Sequence, residues 1–211
     1  MRVLQLSDPH LLADPRGRCR GIEALAHLAH GWRQALAQLG GQLPDLLLIS
    51  GDLCQDESWG GYARLRDWLA EAVQPQGVPV ALLPGNHDHP QLLRSALGRR
   101  VAGLAPAAVP LGPWQLLLLS SHRPGAVAGW LEPAQLAWLE TRLAAARGPV
   151  LVALHHPPVL LGGGSFLDGL ALQEPEALLQ RLLACPLVRG MVFGHIHQHW
   201  QGQRSRPGGG E

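Results

Sequence analysis

Six short apolar runs punctuate the chain, and five of them end on side chains able to hold a metal ion. The runs are Arg2–Leu6, Leu46–Ile49, Val78–Leu83, Gln115–Leu119, Val150–Leu154 and Val188–Phe193. They are nearly continuous and rich in Leu and Val, the pattern of strands buried on both faces. Helix-period segments lie between them, at Ile22–Leu39, Ser58–Glu71, Gln91–Leu97, Pro133–Ala146 and Pro175–Ala184. Pro133 and Pro175 each follow a Glu and fit a first helical turn, where the missing N–H costs little. Alternation of this kind predicts an α/β domain built on a largely parallel sheet. No internal repeat and no linker divides the chain.

The residues just beyond the runs carry the chemistry. Asp8-Pro9-His10 comes after the first, Gly51-Asp52 after the second and Gly85-Asn86-His87-Asp88 after the third. The fifth ends in His155-His156, and the sixth leads into Gly194-His195-Ile196-His197. Ligands of open α/β sheets bind beyond the carboxyl ends of the strands, so these groups belong at one rim. Glycines precede three of the clusters and allow close backbone approach. Each piece taken singly reads as a turn or a satisfied polar pair, because Asn and Asp are ordinary turn formers. Turns do not explain five such pieces in succession, each just beyond a strand.

Composition excludes other classes. Hydrophobic residues make up 46% and charged residues 16%, which rules out a disordered chain. The net charge of +1 offers no field for nucleic acid or an acidic membrane. All 17 basic residues are Arg, so Schiff-base chemistry and a P-loop lysine are excluded. Cys19, Cys54 and Cys185 stand far apart, an odd count that suits a reducing, cytoplasmic compartment. No apolar run approaches the roughly 18 residues of a membrane span, and Met1–Asp8 is too short for a signal peptide.

The set D-x-H, G-D, G-N-H-D, H and G-H-x-H resembles the calcineurin-like metallophosphoesterases over nearly the whole chain. The resemblance implies an α/β/β/α sandwich and two divalent metal ions about 3.5 Å apart. It implies Asp8, His10 and His197 on the first ion, and Asn86, His155 and His195 on the second. Asp52 would bridge both. His87, which is not a ligand in the family pattern, would face the substrate and assist the leaving oxygen, with Asn86 also touching substrate. Two ions bring +4; Asp8, Asp52 and a hydroxide between the ions leave roughly +1, which suits a phosphodiester monoanion. Mixed N/O ligands suit Fe or Mn, with Zn or Co also open.

A narrower likeness lies outside those motifs. Leu6–Asp14 with Gly21, Gly51–Asp56 with Tyr62, Ser120-Ser121 through Gly125, Gly129-Trp130-Leu131 with Gln135, Gly164–Asp168 and Gly194–Gln198 resemble class III cyclic nucleotide phosphodiesterases. The implied substrate is a 3′,5′-cyclic nucleotide such as cAMP, hydrolysed to the 5′-nucleotide, and the implied assembly is a monomer or homodimer. Glycerophosphodiesterases of the same superfamily share several of these features, and a glycerophosphodiester or other small diester is the alternative. Ser165 and Asp168, in the Gly-rich stretch Pro157–Gly169, are candidates for shaping the substrate pocket. His156 is a candidate for hydrogen bonding near the site, and Cys54 reads as packing. The domain is expected to span 1–200. Residues 201–211 read as a disordered or aberrant tail, and the second sheet as incomplete at the C-terminus. On that expectation an inactive, truncated homologue acting in binding or structure is the further alternative.

Overall fold

The parallel strands divide between two sheets in the computed structural model, which describes residues 1–159, 161 and 169–205. The first sheet holds β1 (Val3–Leu6), β4 (Leu46–Ser50), β5 (Val80–Leu83) and β6 (Gly103–Leu104) in that order, all parallel. The second holds β10 (Val188–Val192), β9 (Val150–Ala153), β8 (Trp114–Leu118) and β7 (Ala107–Leu111), parallel except for the β7–β8 hairpin. A two-stranded ribbon, β2 (Arg18–Cys19) with β3 (Ile22–Glu23), stands apart. The helices are α1 (Ala24–Gln38), α2 (Trp59–Trp68), α3 (Pro90–Leu97), α4 (Pro133–Ala145) and α5 (Pro175–Ala184).

The period of two along each strand builds the layers. Every residue of β4 is buried. Leu46 and Leu48 point one way, into a cluster with Ala81, Leu83, Val109, Leu116 and Leu118 from both sheets. Leu47 and Ile49 point the other way, against Leu28 and Trp32 of α1, Tyr62 and Leu65 of α2, and Leu93 of α3. On the far side Leu117, Val150 and Val152 meet Leu139 and Leu143 of α4 and Leu178 and Leu182 of α5. The result is the expected four-layer α/β/β/α sandwich. It explains why the strands read as continuous apolar runs: both faces of each sheet are covered.

Differences from the sequence reading are local. Ile22 and Glu23 belong to β3 rather than to α1, because Arg20 (φ 50°) and Gly21 (φ 81°) form a two-residue turn with both residues left-handed. The run expected at Val78 enters its sheet at Val80. The second helix passes through a π-turn at Leu69–Val73 and a 3-10 turn at Gln74–Gln76. Strands β6 and β7 were not expected. The first is two residues long, and the second contains Pro110, which an edge strand alone tolerates. Ser165, Asp168 and residues 206–211 lie outside the described residues. No helix among the described residues is long and apolar enough to cross a membrane.

Leu139 is fully buried between α4 and the second sheet. Leu139→Ala is expected to cost about 2–5 kcal/mol of stability, read from urea unfolding curves.

Candidate metal centre

The strand-end loops carry backbone strain at the candidate ligands themselves. Asp8 (φ 56°), His10 (φ 45°), Asp52 (φ 50°), His195 (φ 74°) and His197 (φ 50°) all adopt left-handed backbone. Such a conformation costs a non-glycine residue on the order of 1–3 kcal/mol and persists only where neighbours enforce it. Here the loops enforce one another. The Asp8 N–H donates to Gly51 O at 3.1 Å and the His10 N–H to Asp52 O at 2.9 Å. His195 N–H donates to Asp8 Oδ2 at 3.0 Å, and His87 N–H to Asp52 Oδ1 at 3.0 Å. Two glycines make the close approach possible. A Cβ at Gly85 would lie 2.1 Å from Asp52 Oδ1, and one at Gly51 would lie 2.2 Å from His155 Nδ1.

Ligand atoms of Asp8, His10, Asp52 and His197 all lie within 4.8 Å of one another. His10 Nε2 and His197 Nε2 are 3.1 Å apart, and His197 Nε2 is 3.3 Å from Asp8 Oδ1. A second group forms beside it, where His155 Nε2 lies 3.1 Å from His195 Nδ1. Asp52 sits between the groups: Oδ2 is 3.7 Å from His10 Nε2, and Oδ1 is 3.3 Å from His155 Nε2. Buried Asp8 Oδ1 and Asn86 Oδ1 have no hydrogen-bond partner among the described residues. Orphaned lone pairs of this kind, on carboxylate and amide, fit divalent cations.

His156 reaches the same region and yet is spent. Its Nε2 donates to Val127 O at 2.9 Å, and its Nδ1 accepts from the Ser121 hydroxyl at 2.8 Å. The Ser121 oxygen in turn accepts the His156 N–H at 3.3 Å, which fixes the direction of the hydroxyl proton. The ring therefore offers no lone pair and instead packs edge-on against His155. His155 differs because its Nδ1 donates to Ser50 O at 2.8 Å, which leaves Nε2 for the centre.

Three supporting contacts escaped the sequence reading. Gln55 Nε2 lies 3.3 Å from His87 Nδ1, Arg20 Nη1 lies 3.3 Å from His197 Nδ1, and the Ser7 hydroxyl donates to Asp8 Oδ2. Gln55 stood within the Gly51–Asp56 block and Ser7 beside Asp8, so adjacency was their only signal. His87 itself packs edge-on to His10, with centroids 5.2 Å apart.

Crowding sets the electrostatics. Burial alone would push the Asp52 and Asp8 carboxyls up, but facing histidines outweigh it and hold both below the usual range. Burial pulls His155 down, yet Asp52 and Asp8 outweigh it and raise His155 to about 9. Burial and the His155 charge lower His195 to about 4 and His156 to about 2. Burial pushes Asp88 up to about 7 against its hydrogen-bond donors.

Fold and geometry together define a four-layer α/β/β/α protein with two adjoining groups of metal-ligand side chains at the strand ends. The chain belongs to the calcineurin-like phosphoesterase family, whose model matches residues 1–199. It is 48% identical to a probable cyclic nucleotide phosphodiesterase of Synechococcus sp. strain WH7803, over 95% of this chain and 76% of that protein. It is 37% identical to the 3′,5′-cyclic adenosine monophosphate phosphodiesterase CpdA of Escherichia coli K12, over 97% and 74% of the two chains. For the corresponding Pseudomonas aeruginosa protein the figures are 35%, 96% and 71%. Among solved structures, the fold resembles TT1561 of Thermus thermophilus, with a TM-score of 0.57 and 18% identity over 85% of this chain and 76% of that one. It also resembles a yellow lupin purple acid phosphatase, with a TM-score of 0.57 and 18% identity over 93% and 38%.

The shifts give metal-free protein a stability optimum. Between about pH 4 and 6.5 the unfolded chain protonates His156 and His195, which the fold keeps neutral, and the lowered His10 and His122 act in the same direction. The raised Asp88 opposes them with one proton, so stability rises with pH there. From 6.5 to about 9 the fold holds a proton on His155 that the unfolded chain releases, so stability falls. Thermal melts of chelator-treated protein across pH 5–9 should peak near pH 6.5.

Proposed function

We propose that this chain is a dinuclear metal-dependent phosphodiesterase that hydrolyses 3′,5′-cyclic nucleotides, cAMP first among them, to 5′-nucleotides. One observation carries the reading: ligand atoms of Asp8, His10, Asp52 and His197 converge within 4.8 Å, and Asp52 turns its second oxygen to His155. The relatives named as cyclic nucleotide phosphodiesterases support the substrate class. Asp8, His10 and His197 would hold one ion; Asn86, His155 and His195 would hold the other; Asp52 would bridge them. Fe or Mn suits this mixture of N and O donors, with Zn or Co as further candidates. We place the enzyme in the cytoplasm, as a monomer or homodimer.

Two divalent cations, when bound, supply Lewis acidity and a more acidic water. The chain's residues do the rest. A water gives up one proton to solvent, its oxygen bonds to phosphorus in line with O3′, and the P–O3′ bond breaks. His87 gives its proton to the departing O3′, which leaves as the hydroxyl. Asn86 stands beside His87 and orients the phosphoryl oxygens. Gln55, at His87 Nδ1, fixes the plane of the imidazole so that Nε2 is free to act. Ser165 and Asp168 complete the proposal as pocket residues.

Metal analysis of purified protein should find about two ions per chain. Asp52→Ala should lose both, and Asn86→Ala should weaken one more than the other. His87→Ala should keep its metal while kcat falls on the order of 10²–10⁴-fold. If His87→Ala lost metal as Asp52→Ala does, its role would be wrong. A panel of cAMP, 2′,3′-cyclic AMP, bis-p-nitrophenyl phosphate and glycerophosphocholine decides the substrate. Preference for glycerophosphocholine would replace the cyclic-nucleotide reading, and a chain holding no metal would end it.

A further inference from the structure

Asp88 ends the Gly85–Asp88 motif and is not among the side chains that converge on the two centres. Its side chain is nonetheless only 1% exposed. It accepts from Gly85 N–H at 2.8 Å, from Leu53 N–H at 3.0 and 3.1 Å, from Cys54 N–H at 3.1 Å and from the Tyr62 hydroxyl at 3.0 Å. An ionised carboxylate offers about four lone-pair sites, so these neutral donors fill it. Burying an acid on neutral donors is costly, but an apolar side chain there would leave the buried Gly85, Leu53 and Cys54 N–H groups without an acceptor.

The addresses of the donors give the reason for the carboxylate. Leu53 and Cys54 come directly after Asp52, whose left-handed backbone (φ 50°) needs enforcement from outside. Gly85 directly precedes Asn86. One side chain thus clamps the backbone next to two candidate ligands that come from different strands. Tyr62, fully buried on α2, closes the clamp: its hydroxyl donates to Asp88, and its oxygen accepts the His89 N–H at 2.6 Å. The residue after the motif is therefore tied to the same point.

We propose that Asp88, latched by Tyr62, is a positioning residue that sets the separation of Asp52 and Asn86 and thereby the metal affinity of the centre they share. The inference rests on the two-centre reading above. Asp88→Asn keeps the volume but turns an amide donor toward backbone N–H groups. Tyr62→Phe removes one donor and leaves the His89 N–H unpaired.

The test is calorimetric titration of chelator-stripped protein with Mn²⁺ at 25 °C. Asp88→Asn should raise the dissociation constant about 10- to 100-fold, the usual effect of losing a group that orients a ligand. Tyr62→Phe should raise it about 3- to 10-fold, in line with one lost hydrogen bond. Leu139→Ala, destabilised on the other sheet, should bind Mn²⁺ as the parent does. Wild-type affinity in Asp88→Asn and Tyr62→Phe would overturn the proposal, as would an equal loss in Leu139→Ala. Should Asp88→Asn fail to fold, Tyr62→Phe against Leu139→Ala decides by the same criterion. Asp52→Ala separates the two levels: if it binds two Mn²⁺ normally, the two-centre reading falls. If it loses them while the Asp88 and Tyr62 variants do not, only the clamp falls.

Discussion

The Asp52 carboxylate is the point on which this structure turns. It is 2% exposed, stands on left-handed backbone, and faces His10 with one oxygen and His155 with the other. Neither its burial nor its backbone is favourable alone. Both are tolerated because the loops after β1, β4 and β5 bond to one another through the His10, His87 and Asp88 contacts. The same crowding sets the charge states: a carboxylate held ionised draws a proton onto His155, and burial together with that His155 charge keeps His195 neutral. Remove that one negative charge and the neighbouring imidazoles lose the group that organises them.

The sandwich serves this arrangement by being stiff. Helices cover each sheet on one side and the other sheet covers the second, so strand ends cannot shift without disturbing packed side chains. Strained backbone can then be stored in the loops, where local conformational freedom would otherwise relax it. Glycine is required at Gly51 and Gly85 for the same reason: a methyl group there would occupy space already taken by His155 or Asp52.

His155 and His156 show how fine the division of labour is. They are adjacent, equally buried and chemically identical. One turns Nδ1 to a carbonyl and keeps Nε2 for the centre, while the other commits both nitrogens to Ser121 and Val127. The second histidine thereby ties the loop after β8 to the wall of the site, a structural task that the first cannot share.

Much of this was legible in the residue order. The two-residue period of buried strands and the types of side chain just beyond them are local signals, and they suffice to name the fold class and the candidate ligands. Proline at Pro110 hid β7, because the tolerance of an edge position depends on where the strand lies in its sheet. The hydrogen bonding expected of His156 is present, but its partners, and the roles of Gln55 and Asp88, were hidden for a related reason. A histidine's free nitrogen or a carboxylate's set of donors depends on partners about 26–35 residues away. Order along the chain thus chooses which groups reach the strand ends. Only folding decides which lone pairs remain free, since a hydrogen bond made between neighbouring loops removes a ligand as surely as a substitution would.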